Sequence, residues 1–164
     1  MRLFLALTLE GPFTDMQRQL SCKGSFPKTF HLTLQFLGEV KNSEDVIACM
    51  QGLHFSPIDL QLDKISAFTL DKPRVIFAAF KDDAALQQVL QLQQELERRL
   101  QRIGFRPDKP FHPHITLARV KDMHSFAEIP LTGMVHVQKC CLFKSTLTAQ
   151  GAVHEELFCL TSTP

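Results

Sequence analysis

The sequence predicts an α+β protein in which two pseudo-symmetric lobes place antiparallel sheets around a central cleft, with helices on their outer faces. One observation is a short phrase that occurs twice, as Phe30-His31-Leu32-Thr33-Leu34 and as His114-Ile115-Thr116-Leu117. The other is the similar order of strand and helix patterns around each copy. The chain has 164 residues, which allows a sizeable core, and we expect one domain over 1–164 made of two closely packed lobes.

Apolar periodicity and turn residues define the elements of the first half. Residues 3–9 are typical of a strand, which Gly11-Pro12 ends before a short helical pattern over 13–20. The first copy of the phrase lies in a strand that begins near 31 and ends at Gly38. A helix then begins after Asn42 or Ser43 as its cap and runs to about residue 53.

Apolar periodicity and turn residues also define the elements of the second half. Strands over 59–69 and 74–80 are separated by a turn at 71–73, and the clearest helix covers 83–103, with Gly104 placed to end it. The second copy of the phrase follows a loop over 107–113. After a loop over 121–130, strands over 134–143 and 156–160 close the chain, with Gly151 at the turn between them.

Composition and charge exclude several classes of protein. Hydrophobic residues make up 45% of the chain and the formal net charge is only +1, which is typical of a soluble globular protein and gives no basic footprint for long duplex nucleic acid. The apolar beginning of the chain is too short for a membrane span and lacks the basic region and cleavage site of a signal peptide. We therefore expect a cytoplasmic protein with no membrane partner.

The five cysteines form an odd set without CxxC spacing, and two of them, Cys140 and Cys141, are adjacent in an apolar run. That usage favours buried free thiols in a reducing compartment over a disulfide framework or a zinc cage. A catalytic cysteine is kept as a minor alternative.

The repeated phrase places chemistry on one face of each strand. Successive side chains of a strand point to opposite faces, so His31 and Thr33 share one face, while Phe30, Leu32, Leu34 and Phe36 line the core face. For Phe36 this holds unless the strand bulges or ends there. The second copy behaves likewise, with Ile115 and Leu117 in the core and His114 and Thr116 projecting away from it.

Two imidazoles and two hydroxyls suit attack on a phosphodiester. The ordinary pKa of histidine, about 6.5, lies near neutrality, so one ring can accept a proton while the other donates one. Threonine hydroxyls can hold the phosphoryl oxygens. A single His-x-Thr is common by chance and is more often structural, whereas two matched copies favour catalysis. The scheme needs no metal ion and no cofactor.

His112 and His114 form a His-x-His pair that suggests a metal site as an alternative. A zinc site needs further ligands at usable spacing, and the sequence supplies none beside this pair. The proline between the two histidines indicates instead that this segment shapes the entry to the strand.

The phrases and their surroundings resemble the 2H phosphoesterases, and within them the RNA 2',3'-cyclic phosphodiesterases, also called 2'-5' RNA ligases or LigT-like proteins. The segments that carry the resemblance are RLFLA at 2–6, HLTLQFLGEV at 31–40, KPFHPHITLAR at 109–119 and FKSTL at 143–147, with Gly151. The resemblance implies a two-lobed fold with the motifs facing each other across a cleft. It also implies metal-independent hydrolysis of the 2',3'-cyclic phosphate end of an RNA or short oligonucleotide to a 2'-phosphate. We expect the protein to be a monomer.

The same resemblance implies roles for individual residues. His31 and His114 are the acid and base, with His114 activating water and His31 protonating the leaving O3'. Thr33 and Thr116 bind the phosphate. Arg119 lies near the phosphate or the terminal base, with a solvated strand-end charge as its alternative, and Phe36 matches a base-stacking position. Departures from the family pattern are His154, near a position where relatives carry a tyrosine, and a short loop before the first phrase.

Two other functions use the same residues. One is a ligase that joins RNA halves through 2'-5' bonds, which runs the same chemistry in reverse. The other is a non-catalytic module that binds RNA ends. The intact set of histidines and threonines argues against the latter, because a retired site tends to lose them.

Overall fold

The computed structural model describes residues 1–164 and contains three helices and nine strands, confirming the α+β class. The strands are β1 Arg2–Glu10, β2 Gly24–Ser25, β3 His31–Glu39, β4 Asp59–Ala67, β5 Val75–Phe80, β6 Ile115–Val120, β7 Ile129–Pro130, β8 Met134–Thr148 and β9 Gly151–Thr161. The helices are α1 Phe13–Arg18, α2 Glu44–Met50 and α3 Ala84–Gln101. No helix combines the length and the apolar composition that crossing a bilayer requires.

All strand pairs are antiparallel, and the sheet divides into two lobes that meet where β4 pairs with β8. The first lobe contains β3, β1, β8 and β9, and the second contains β2, β6, β5, β4 and β7. Within the lobes, β1, α1 and β3 have the same order as β5, α3 and β6, and in both cases the first and last strands pair. The two lobes thus repeat one arrangement of strands and helix, and their strands join in one continuous sheet.

One face of the sheet packs against the helices. Alternate residues of β1, Leu3, Leu5 and Leu7, join a core of 33 buried residues that includes the apolar side chains of all three helices. On the opposite face, Phe4 and Ala6 belong to a small separate cluster with Cys141 and Phe143. This second face is free of helices, and it is the face onto which both histidine phrases project.

The predicted elements are present, and they differ mainly at their ends. Helix α3 begins after Asp83, whose Oδ1 accepts the backbone N–H of Leu86 at 3.0 Å, as expected for an N-cap. For α2, the side chain of Asn42 accepts the backbone N–H of Glu44, so Asn42 is the capping group rather than Ser43. The two-residue strands β2 and β7 were missed because so short a segment has no periodicity. Strands β8 and β9 also extend beyond the predicted ends.

The expectation that all cysteines are free is wrong for one pair. Cys141 of β8 and Cys159 of β9 lie directly opposite each other and form a disulfide. Because Cys140 and Cys141 are successive residues of a strand, Cys140 points into the main core and Cys141 points to the opposite face. Reading the spacing along the chain could not reveal a partner across the sheet. Cys22, Cys49 and Cys140 are free.

Candidate active site

Both histidine strands bulge at the same position of the phrase. In β3, Thr33 pairs with Ala6 and Gln35 pairs with Leu5, a register shift that leaves Leu34 as an extra residue. An extra residue in one strand reverses the alternation of faces for the residues that follow it. Gln35 therefore points into the core and is buried.

This bulge corrects the prediction for Phe36. Alternation alone puts Phe36 on the core face, but after the bulge it pairs with Phe4 and lies on the same face as His31. Its ring is 69% exposed and its centroid is 5.9 Å from that of Phe4. The core-face prediction is wrong for this residue, whereas Leu32 and Leu34 are buried in the core as expected.

Strand β6 repeats the arrangement. Thr116 pairs with Phe77 and Ala118 pairs with Ile76, so Leu117 is the extra residue. Arg119, the fifth residue after His114, therefore lies on the face of the histidine, and it is exposed. Each lobe thus presents a histidine, a threonine two residues later and a third side chain five residues later on one surface.

His31 is surrounded by aromatic rings. The centroid of its ring lies 5.1 Å from that of Phe4, 6.0 Å from that of Phe143 and 5.4 Å from that of His154. Burial, together with the smaller effect of the nearby charges of His154, His114 and Arg119, lowers the pKa of His31 to about 4. In the free protein the ring is therefore neutral near pH 7.

His114 is held by a hydrogen bond. Its Nδ1 lies 2.6 Å from the backbone carbonyl oxygen of His112, and since a carbonyl can only accept, Nδ1 carries the proton. In the neutral ring the lone pair is therefore on Nε2. Two phenylalanines stand edge-on to this ring, Phe68 at 4.8 Å and Phe77 at 5.4 Å between centroids. Burial lowers the pKa of His114, although the bond to the carbonyl opposes this.

The two histidines and Arg119 share one electrostatic environment. The charge of His114 lowers the pKa of His31, and the charge of Arg119 lowers the pKa of both rings. Like charges act in this way only when the groups are close, so the cleft gathers the Arg119 guanidinium and two protonatable imidazoles on one surface. Such a surface favours an anionic ligand.

The cysteines of the chain offer little for a metal or a nucleophile. The sulfurs of Cys141 and Cys159 and a carboxylate oxygen of Glu156 lie within 4.8 Å of one another, but the two sulfurs are bonded to each other and cannot act as thiolate ligands. Burial raises the pKa of each free thiol, in the case of Cys140 to about 12. No free cysteine has the lowered pKa of an activated nucleophile.

Sequence reasoning missed two rings that touch the histidines. Phe68 falls within the strand predicted over 59–69, but β4 ends at Ala67 and Phe68 follows it in a bend, so the strand pattern gave no sign of its contact with His114. His154 attracted notice only as a departure from the family pattern. Its position in β9, opposite Ser145 of β8, brings it over His31 through a strand pairing that the sequence does not specify.

The fold, with one histidine motif in each lobe, is that expected of a phosphoesterase. The model of the LigT-like phosphoesterase family matches residues 10–77 and 81–154, and the chain belongs to that family. The family predicted from the repeated phrase is thus confirmed.

Curated relatives carry one name. An RNA 2',3'-cyclic phosphodiesterase of Aeropyrum pernix is 34% identical over 146 residues, which are 80% of this chain and 81% of that protein. Another of Archaeoglobus fulgidus is 29% identical over 177 aligned positions, covering 96% and 98% of the two chains.

Solved structures share the fold. TT0787 of Thermus thermophilus is 28% identical and covers 98% of this chain and 97% of its own, with a TM-score of 0.81. E. coli LigT complexed with 3'-AMP, at 23% identity, covers 99% of this chain and 98% of its own with the same TM-score of 0.81. At that identity, the likeness to LigT concerns the fold alone.

Proposed function

We propose that this protein is an RNA 2',3'-cyclic phosphodiesterase that opens the cyclic phosphate at an RNA end and leaves a 2'-phosphate, without a metal ion or a cofactor. The observation that carries the proposal is the pair of equivalent bulged strands, which present His31 with Thr33 and His114 with Thr116 on one electrostatically coupled surface. The names of the curated relatives support the choice of substrate.

In this mechanism, His114 is the general base. Its Nδ1–H donates to the His112 carbonyl, so Nε2 is free to take a proton from a water molecule. The water oxygen forms a bond to phosphorus as the bond from phosphorus to O3' breaks. His31 gives its proton to O3', so that one histidine gains a proton and the other loses one in each turnover.

His31 must carry a proton to act as the acid, although its pKa in the free protein is about 4. A bound phosphodiester brings a negative charge next to the ring, and an opposite charge favours the protonated form. Substrate binding therefore raises the pKa of His31 when the proton is needed. The same charge offsets the repulsion among His31, His114 and Arg119.

The other residues hold the substrate. The hydroxyls of Thr33 and Thr116 donate hydrogen bonds to the non-bridging phosphoryl oxygens. Arg119 pairs with the phosphate, and a guanidinium offers a planar set of donors for that purpose. The exposed ring of Phe36 stacks on the terminal base, a contact that tolerates any base.

Positive charge extends beyond the reaction centre. A surface cavity of about 840 Å³ adjoins Arg119 and is lined in part by Lys23 and Lys121, with Asp122 as its acidic residue. Cations at this place suit the backbone phosphates of a longer RNA. The proposal includes a monomer, since one chain supplies both histidine strands, and a cytoplasmic location.

The experiment follows the opening of a short oligonucleotide with a 2',3'-cyclic phosphate end in the presence of excess chelator. We expect full turnover and a product with a 2'-phosphate, and we expect the double variant H31A/H114A, purified in parallel, to lack it. Loss of turnover in chelator that added metal restores would contradict the mechanism. Binding of the oligonucleotide without any opening would indicate a non-catalytic module instead.

A further inference from the structure

The two lobes carry an aromatic residue at corresponding places. In the first lobe, a cross-strand row leads from Phe36 of β3 through β1 to Phe143 of β8. In the second lobe, the equivalent row leads from Arg119 of β6 across β5 to the end of β4, where Phe68 directly follows Ala67. Since Phe36 and Arg119 are each the fifth residue after a histidine, Phe143 and Phe68 are equivalent by position.

The two equivalent rings differ in what covers them. Phe143 is only 8% exposed, because β9 continues the sheet beyond β8 and brings His154 into ring contact with Phe143, Phe4 and His31. The second lobe has no strand in that place, since β7 pairs with β4 at Lys64 and Ile65 rather than at its end. Phe68 is consequently 50% exposed.

Phe68 nevertheless has a fixed setting next to the reaction centre. Its ring packs on Phe77 at 4.5 Å between centroids and stands edge-on to His112 and His114 at 5.0 and 4.8 Å. These contacts fix the Phe68 ring in place and leave part of it open to solvent beside His114, the proposed general base. A preorganised ring of this kind binds a flat partner at little cost in conformational entropy.

We propose that Phe68 is a second stacking platform, which binds the base of the nucleotide that precedes the RNA end. The inference rests on the proposed function. Phe36, which packs on Phe4 in the first lobe, stacks on the terminal base. The exposed ring of Phe68 in the second lobe then stacks on the base of the preceding nucleotide. The preferred substrate is therefore an oligonucleotide of at least two residues rather than a cyclic mononucleotide, with little selectivity for the base.

The test compares a nucleoside 2',3'-cyclic phosphate with a dinucleotide that ends in one. For Phe68→Ala we expect kcat/KM on the dinucleotide to fall by about 5- to 150-fold more than kcat/KM on the mononucleotide, the range of one lost stacking contact. Phe68→Tyr keeps a stacking surface and should behave as the wild type does. Leu147→Ala, which truncates a residue 75% exposed near the β8–β9 turn, is the matched control.

Equal losses on both substrates would mean that Phe68 only positions His114, and would overturn the inference. No loss on either would overturn it as well. Failure of the proposed function is distinguishable, because the wild type would then open neither substrate. In that case the dissociation constants of a nucleoside 2'-phosphate and of a dinucleotide 2'-phosphate still test the stacking role of Phe68. Phe68→Ala should weaken binding of the dinucleotide 2'-phosphate only.

Discussion

The two histidine strands carry the same phrase and the same bulge, yet they hold their imidazoles in different ways. His114 is anchored by a hydrogen bond from Nδ1 to a backbone carbonyl, which fixes the tautomer. His31 has no such hydrogen bond and packs against three rings, and burial is the main cause of its pKa of about 4. A repeated motif therefore supplies two copies of a group, whereas the neighbours of each copy decide what it does.

Removing either imidazole tests whether both copies serve one reaction. We expect His31→Ala and His114→Ala each to lower kcat by about 10²- to 10⁴-fold, the usual contribution of a general acid or base. The double variant should lose much less than the product of the two factors, because the groups act in one step. Rates of cyclic-phosphate opening, with thermal unfolding as the control for folding, measure this. A tenfold loss or less in one variant would leave that lobe without a catalytic role.

The threonines test whether both lobes hold the same phosphate. Thr33→Val and Thr116→Val keep a β-branched shape in a strand and remove only the hydroxyl. We expect each to lower kcat/KM by about 10- to 150-fold, the worth of a hydrogen bond to a charged group. The two substitutions should lower kcat/KM by similar factors. A loss confined to one of them would show that a single lobe binds the anion.

His154 tests the environment of His31 alone. His154→Gln removes one of the charges that lower the pKa of His31, while burial, His114 and Arg119 remain. The pKa of His31 therefore rises, and the acidic limb of kcat/KM, which reports the lower of the two coupled pKa values, moves to higher pH.

The height of the kcat/KM plateau between the acidic and basic limbs tests which histidine is the acid. If His31 is the acid, a raised pKa increases the fraction of enzyme with the proton on His31, and the plateau rises. A plateau that falls would reverse the roles of His31 and His114. An acidic limb that does not move would mean that His154 has no influence on His31.

The disulfide is a further difference between the lobes, since Cys141–Cys159 ties β9 to β8 in the first lobe only. With the two cysteines 18 positions apart, C141A/C159A should lower the free energy of unfolding by about 3 kcal/mol. Denaturant titration measures this, and a reductant should destabilise the wild type but not the variant. We expect the smallest effect on kcat/KM here, because neither cysteine is among the residues proposed to transfer a proton or bind the phosphate. A large loss of activity at full folding would give the disulfide a role in placing His154.

Much of the site could be predicted because the phrase is local. Strand alternation places His31 beside Thr33 and His114 beside Thr116 without knowledge of the fold. Alternation failed at Phe36, because a bulge depends on the partner strand, and it succeeded for Leu32 and Leu34, which precede the reversal. Phe68, His154 and the Cys141–Cys159 bond depend on pairings between distant strands, and no short pattern in the sequence encodes those.

Whether one phosphate lies against both imidazoles is decided by an NMR titration of the histidine ring protons with and without a nucleoside 2'-phosphate. We expect one equivalent of ligand to raise the pKa of both His31 and His114, because a single anion contacts the two rings. Exposed His54, which lies between α2 and β4, serves as the internal control. A rise confined to one of the two rings, or two rises that require separate equivalents, would contradict a shared reaction centre.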